Sequence, residues 1–66
     1  MIKVNDIVKC RLYNTPDKRF YGEYFDGQVL EIQKNTFDKQ FKIKRLDLNY
    51  IIWLHRKEIK RIIRKG

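Results

Sequence analysis

The chain has 66 residues and a formal charge of +8, from sixteen Lys and Arg against eight Asp and Glu. That length allows one small domain over residues 1–66, which buries only about 60% of the surface its unfolded form exposes. Lone Cys10 cannot form an internal disulfide, and no Cys/His set has zinc-ligand spacing, so the fold rests on apolar packing without a metal or cofactor. The first ten residues interleave Lys3, Asp6 and Lys9 with apolar side chains, unlike a signal peptide. No apolar run approaches the roughly 20 residues of a membrane span. A non-secreted protein of a reducing compartment, cytoplasmic or nucleoid/nuclear, is the expectation.

The placement of the charge is more informative than its size. Residues 1–41 carry seven cations and six anions, for +1, whereas residues 42–66 carry nine cations against Asp47 and Glu58, for +7. A field concentrated in this way suits a polyanion.

In chain order, Ile7–Tyr13 alternates Val8, Cys10 and Leu12 with Lys9, Arg11 and Tyr13, the period-2 pattern of a half-buried strand with Cys10 inward. Asn14-Thr15-Pro16-Asp17 is turn chemistry, and the loop continues through Lys18–Glu23 with Phe20 and Tyr21. Tyr24–Ile32 reads as a second strand. Val29 and Ile32 both look inward although three apart, so a bulge near Leu30-Glu31 is predicted, with Gly27 helping the strand to bend. After a turn at Gln33–Thr36, a third strand over Phe37–Leu46 turns Phe41 and Ile43 in and Lys42 and Lys44 out. Arg45 falls on the inward register near the end of this strand, where an unpaired cation is not tolerated, so a rim is expected there.

Asp47-Leu48-Asn49 is a turn, and Tyr50–Leu54, the densest apolar segment, reads as a fourth strand. The basic tail has two readings. As a helix it lines up His55, Ile59, Ile62 and Ile63; as a strand it places Ile59, Arg61 and Ile63 on one face. The preferred form is a short turn at Arg56–Glu58 followed by a closing strand from Ile59, because the sheet edge needs a partner.

The segments Val4-Asn5-Asp6-Ile7-Val8, Phe25-Asp26-Gly27-Gln28-Val29-Leu30-Glu31-Ile32, Phe41-Lys42-Ile43 and Trp53–Ile59 together resemble the Tudor family and its SH3-like relatives. Those domains run V-G-D-x-V, aromatic-x-G-x-V-x-x-I, aromatic-x-V and W-V-x-x-x-D-[IL]. The resemblance implies an all-β, strongly bent five-stranded barrel. Asn5 stands where glycine is usual, and Glu58 where aspartate is commoner. Many Tudor domains hold a methylated cation in an aromatic cage. Here the three cage positions fall on Leu12, Phe25 and Arg45, and a single aromatic beside a cation is not a cage, which puts methyl-lysine reading a distant third. Integrase C-terminal domains and small chromatin proteins resemble this chain in fold and charge, and they bind DNA.

Catalysis finds little support in the residues. His55 is the only histidine, serine is absent, and no glycine-rich phosphate loop occurs. Nucleic-acid binding has its cations in Lys42, Lys44, Arg45, Arg56, Lys57, Lys60, Arg61, Arg64 and Lys65, with Tyr13, Tyr24, Tyr50 and Trp53 as candidate stackers. Trp53 also suits a core position. No base-reading set stands out, so backbone-dominated binding to DNA or RNA with weak sequence preference is expected, without a small-molecule substrate. The competing reading is a small adaptor or inhibitor that docks on a protein through Phe20, Tyr21 and Phe25.

Overall fold

The computed structural model describes residues 1–13, 22–34 and 40–66. Five strands, β1 (Ile7–Arg11), β2 (Tyr24–Ile32), β3 (Phe41–Arg45), β4 (Ile51–Leu54) and β5 (Ile59–Arg64), form one antiparallel sheet in the order β4-β3-β2-β1-β5. A 3-10 turn, Arg56–Glu58, joins the two edge strands. The expected all-β fold is therefore present, and the tail is a strand preceded by a short turn. The third and fourth strands are shorter than the sequence pattern suggests, and residues 37–39 lie outside the described set.

Inward side chains from every strand meet in one core of Val8, Cys10, Leu12, Phe25, Val29, Phe41, Ile43, Leu54 and Ile59. The predicted bulge is real. Val29 pairs with Ile43 and Glu31 with Lys42, leaving Leu30 as the extra residue, so Ile32 also packs against the core. Gly27 lies on the inner face, where a Cβ would run into the Ile43 side chain. Strand β5 departs from simple alternation. Val8 pairs with Ile62 and Cys10 with Ile59, with irregularities that skip Lys60 and Ile63. Ile59 and Ile62 are thus the inward pair, and Ile63 is exposed instead of sharing Ile59's face.

Asn5 has φ 77°, the left-handed conformation that makes glycine usual at such a place and that asparagine tolerates better than most residues. Its N–H donates to the Val29 carbonyl at 2.7 Å, and the Val29 N–H returns a bond to the Asp6 carbonyl at 3.0 Å. The N-terminal turn is thereby fastened to the middle of β2.

Among the described residues, three charged side chains are buried with the core: Asp6, Arg45 and Glu58. Arg45 is 0% exposed, as its inward register implies, which corrects the expectation of a rim there and of a nucleic-acid contact by this side chain. Its Nε and Nη2 donate to the two Asp47 carboxylate oxygens at 2.9 and 2.6 Å, and Nη2 also donates to Glu23 at 2.6 Å. The guanidinium lies 4.2 Å from the Phe25 ring centre and 5.6 Å from that of Tyr50. Forked hydrogen bonding and ring contact together make this a site for arginine that lysine does not fill.

Replacing Arg45 with alanine removes that packing and leaves two carboxylates facing one another. The expected loss is about 2–4 kcal/mol, comparable to the whole stability of so small a domain. Arg45→Lys is expected to lose most of the same amount. Urea unfolding followed by Trp53 fluorescence measures both, and an Arg45→Lys midpoint equal to that of the native chain would contradict the fork.

Candidate functional site

The surface takes its character from where the carboxylates go. Asp17 and Asp38 lie outside the described residues. Asp6 accepts the Lys3 N–H at 2.9 Å and the Gly66 N–H at 3.1 Å, which fastens the end of the tail to the N-terminal turn. Glu58, 0% exposed, accepts the Tyr13 N–H at 3.0 Å and the His55 N–H at 3.1 Å. Glu23 and Asp47 are held by Arg45. Asp26 pairs with Lys9 at 2.5 Å. Glu31 is the exception, exposed and accepting a bond from Gln33 at 3.2 Å.

The cations remain outside. On the face of the sheet away from the core, strand register aligns Arg64, Ile7, Gln28, Lys44 and Ile51 in one row. A second row holds Arg61, Lys9 and Asp26, and a third holds Glu31, Lys42 and Trp53. Arg64 and Lys44 are three strand spacings apart, about 14 Å between their backbones along the sheet. Arg56 and Lys57 are exposed on the 3-10 turn, where Arg56 donates to the Ile59 carbonyl at 3.0 Å; Lys60 is exposed on β5 and Lys65 just after it. Among the described residues, no ion pair involves Lys42, Lys44, Arg61, Arg64 or Lys65.

The aromatic candidates separate into distinct environments. Tyr24 is 56% exposed at the start of β2, with the Arg11 guanidinium 4.9 Å from its ring centre. The same guanidinium lies 5.3 Å from the Tyr13 ring, and Lys60 lies 4.4 Å from that ring. Arg11 is further fixed by an Nε–H bond to the Gly22 carbonyl at 2.9 Å. Lys60, and then Arg11, hold the Tyr13 hydroxyl below its ordinary pKa by hydrogen bonding to it. Tyr50 lies over Arg45, and Trp53 is half-buried beside Lys42. Phe25 is buried under Arg45, which removes it from any docking surface. Phe20 and Tyr21 lie outside the described residues.

Arg11 is the functional candidate that the sequence reading passed over. The available signal was its outward alternation with Lys9 and its position opposite Tyr24 in the β1–β2 pairing. Cys10 is fully buried, and burial, followed by the nearby Glu58, pushes its thiol up to about 12, so at neutral pH it stays protonated as a core group. Among the described residues, no three His, Cys, Asp or Glu side chains are placed to hold a metal, and no helix is long and apolar enough to cross a membrane.

Both Asp47, through Arg45, and Asp6, through the Lys3 and Gly66 amides, are held below the ordinary carboxylate value. A lowered folded-state pKa means that the unfolded chain takes up the proton first. Their stabilisation is therefore complete above about pH 5 and is lost as pH falls through roughly 4 and below. Melting temperature is expected to drop across that window. The Asp6→Asn, Asp47→Asn double variant is expected to melt lower at neutral pH and to lose less on acidification. Parallel curves for the two proteins would contradict the assignment.

Comparison of the chain with protein-family models, with curated proteins and with solved structures finds no match in any of the three.

Proposed function

We propose that this chain is a non-enzymatic nucleic-acid-binding domain of the SH3-like, Tudor-like kind. In this reading it grips the phosphate backbone with the outer face of its sheet. One observation carries it: the described carboxylates turn mostly to backbone amides and to Arg45, while Lys44, Arg61 and Arg64 make no ion pair among the described residues. Cations without internal counterions are free to exchange small ions for phosphates. Arg56, Lys57 and Lys60 extend the field around the edge of the sheet, whereas Arg45 supports the fold. Methyl-lysine reading is disfavoured because the guanidinium of Arg45 already lies on Phe25, the one aromatic at a cage position.

Protein docking is the second reading, and it now has a different surface. Leu46, Leu48 and Ile51 are exposed around the β3–β4 hairpin, with Tyr50 among them. Such a patch suits a protein partner. Nuclease treatment of a pull-down separates the readings, since a partner retained stoichiometrically afterwards favours docking.

If about five phosphates are neutralised, log affinity for duplex DNA falls against log salt with a slope of roughly −4.5. Lys44→Gln with Arg61→Gln, both on the outer face, is expected to make that slope shallower by about 1.8 without shifting the melting temperature. Affinity independent of salt, or no binding at low ionic strength, would sink the proposal.

A further inference from the structure

Beside Tyr24 runs an open groove of about 430 Å³, lined by Lys9, Tyr24, Phe25, Asp26, Leu46 and Asp47. Its chemistry differs from that of the surrounding face. Tyr24 and Leu46 give exposed apolar walls, Lys9 supplies one cation, and two carboxylates stand at the rim. The Asp26 carboxylate is partnered by Lys9, and that of Asp47 by Arg45 and the Leu48 N–H. With both carboxylates already paired, the groove offers a phosphate little net positive charge compared with the rows holding Lys44, Arg61 and Arg64, so the part of a polynucleotide suited to it is not its backbone. A nucleobase is planar and apolar on its faces. It also carries exocyclic amines at its edge, which carboxylate oxygens accept.

The Tyr24 ring is positioned for such a guest. More than half of the residue is open to solvent, yet the ring is steadied by Arg11, itself tied to Gly22 and Tyr13. Tyr13, with Arg11 and Lys60 over its ring, is more heavily occupied. The neighbouring row of the sheet places Arg61 and Lys9 beside Asp26, so phosphates flanking a base in the groove pass next to cations.

We infer that the groove beside Tyr24 takes one unpaired nucleobase, stacked on the tyrosine ring with its amino edge toward Asp26 and Asp47, so that single-stranded nucleic acid is the preferred ligand. The inference rests on the nucleic-acid reading above and adds a ligand class and a site to it. Duplex DNA, whose bases are already stacked and paired, is left with the phosphate contacts alone.

The test is fluorescence anisotropy at fixed salt, with labelled oligo-dC and oligo-dT strands of about twelve nucleotides, within the range one small barrel covers, and a duplex of the same length. Tyr24→Leu is expected to weaken single-strand binding roughly five- to hundred-fold, the range for losing one base–aromatic stack, while duplex binding stays unchanged. Tyr24→Phe keeps the ring and is expected to keep the affinity. Oligo-dC, which carries an exocyclic amine, is expected to bind more tightly than oligo-dT. A Tyr24→Leu protein that melts normally and binds single strands as well as the native chain overturns the inference, as does equal weakening of single-strand and duplex binding. A preference for oligo-dT overturns the role given to the carboxylates. The Lys44→Gln, Arg61→Gln protein keeps the two proposals apart: if it loses affinity for both ligands while Tyr24→Leu loses none, the base site fails and the phosphate surface stands. If the native chain binds neither form, both proposals fall.

Discussion

Among the described residues, three buried side chains, Asp6, Arg45 and Glu58, fasten a small apolar core at its margins. Each joins segments that are distant in sequence. Glu58 reaches the Tyr13 amide across 45 positions, Asp6 reaches Gly66 across 60, and Arg45 reaches Glu23 across 22. These contacts tie the 3-10 turn to the end of β1, the tail to the N-terminal turn, and the β3–β4 hairpin to the start of β2. A small sheet leaves backbone amides at its ends without strand partners, and a buried carboxylate satisfies two of them at once. For Asp6 these bonds favour the ionised form, so the fold draws that anion inward. The outer face follows from this. Cations are numerous in this chain, sixteen against eight acids, and several of those acids are occupied within, so Lys44, Arg61 and Arg64 have no ion-pair partner among the described residues.

Half-by-half charge counting therefore misplaces part of the surface. The first 41 residues sum to +1, which hides Arg11 and Lys9. Summation treats Asp6 and Glu23 as though they stood beside those cations, whereas one caps backbone amides and the other faces Arg45. Arg11 consequently joins the outward set although it lies in the nearly neutral half. Arg45 leaves that set although it lies in the basic half.

Features governed by local geometry were legible in the sequence. The spacing of Val29 and Ile32 required an extra residue, and the bulge at Leu30 provides it. An asparagine at position 5 is compatible with the left-handed backbone found there. The inward register of Arg45 was also readable, but alternation assigns only a face of the strand and not the partners waiting on it. Asp47 was near at hand, whereas Glu23 is brought in by the pairing of β2 with β3. The irregularities of β5 could not be read for the same reason. Ile62 and Ile63 are equally apolar, and only the match to Val8 across the sheet decides which points inward. Trp53, half-buried beside Lys42, shows that the densest apolar stretch of the chain need not lie wholly within its core.

The two proposed contacts on nucleic acid divide the work according to range. Phosphate attraction acts over about 8–10 Å at ordinary ionic strength and is indifferent to sequence, so the rows containing Lys44, Arg61 and Arg64 set encounter and general affinity. Stacking acts only at contact and needs a base free of its pair, so Tyr24 discriminates between strand forms without adding to the long-range field. Asp26 and Asp47 sharpen that division: paired with Lys9 and Arg45, they leave the groove little net positive charge to draw a phosphate. Two of the scarce surface acids beside the exposed ring of Tyr24 make the groove chemically unlike the face around it, and that contrast is the physical ground for assigning it a different part of the same ligand.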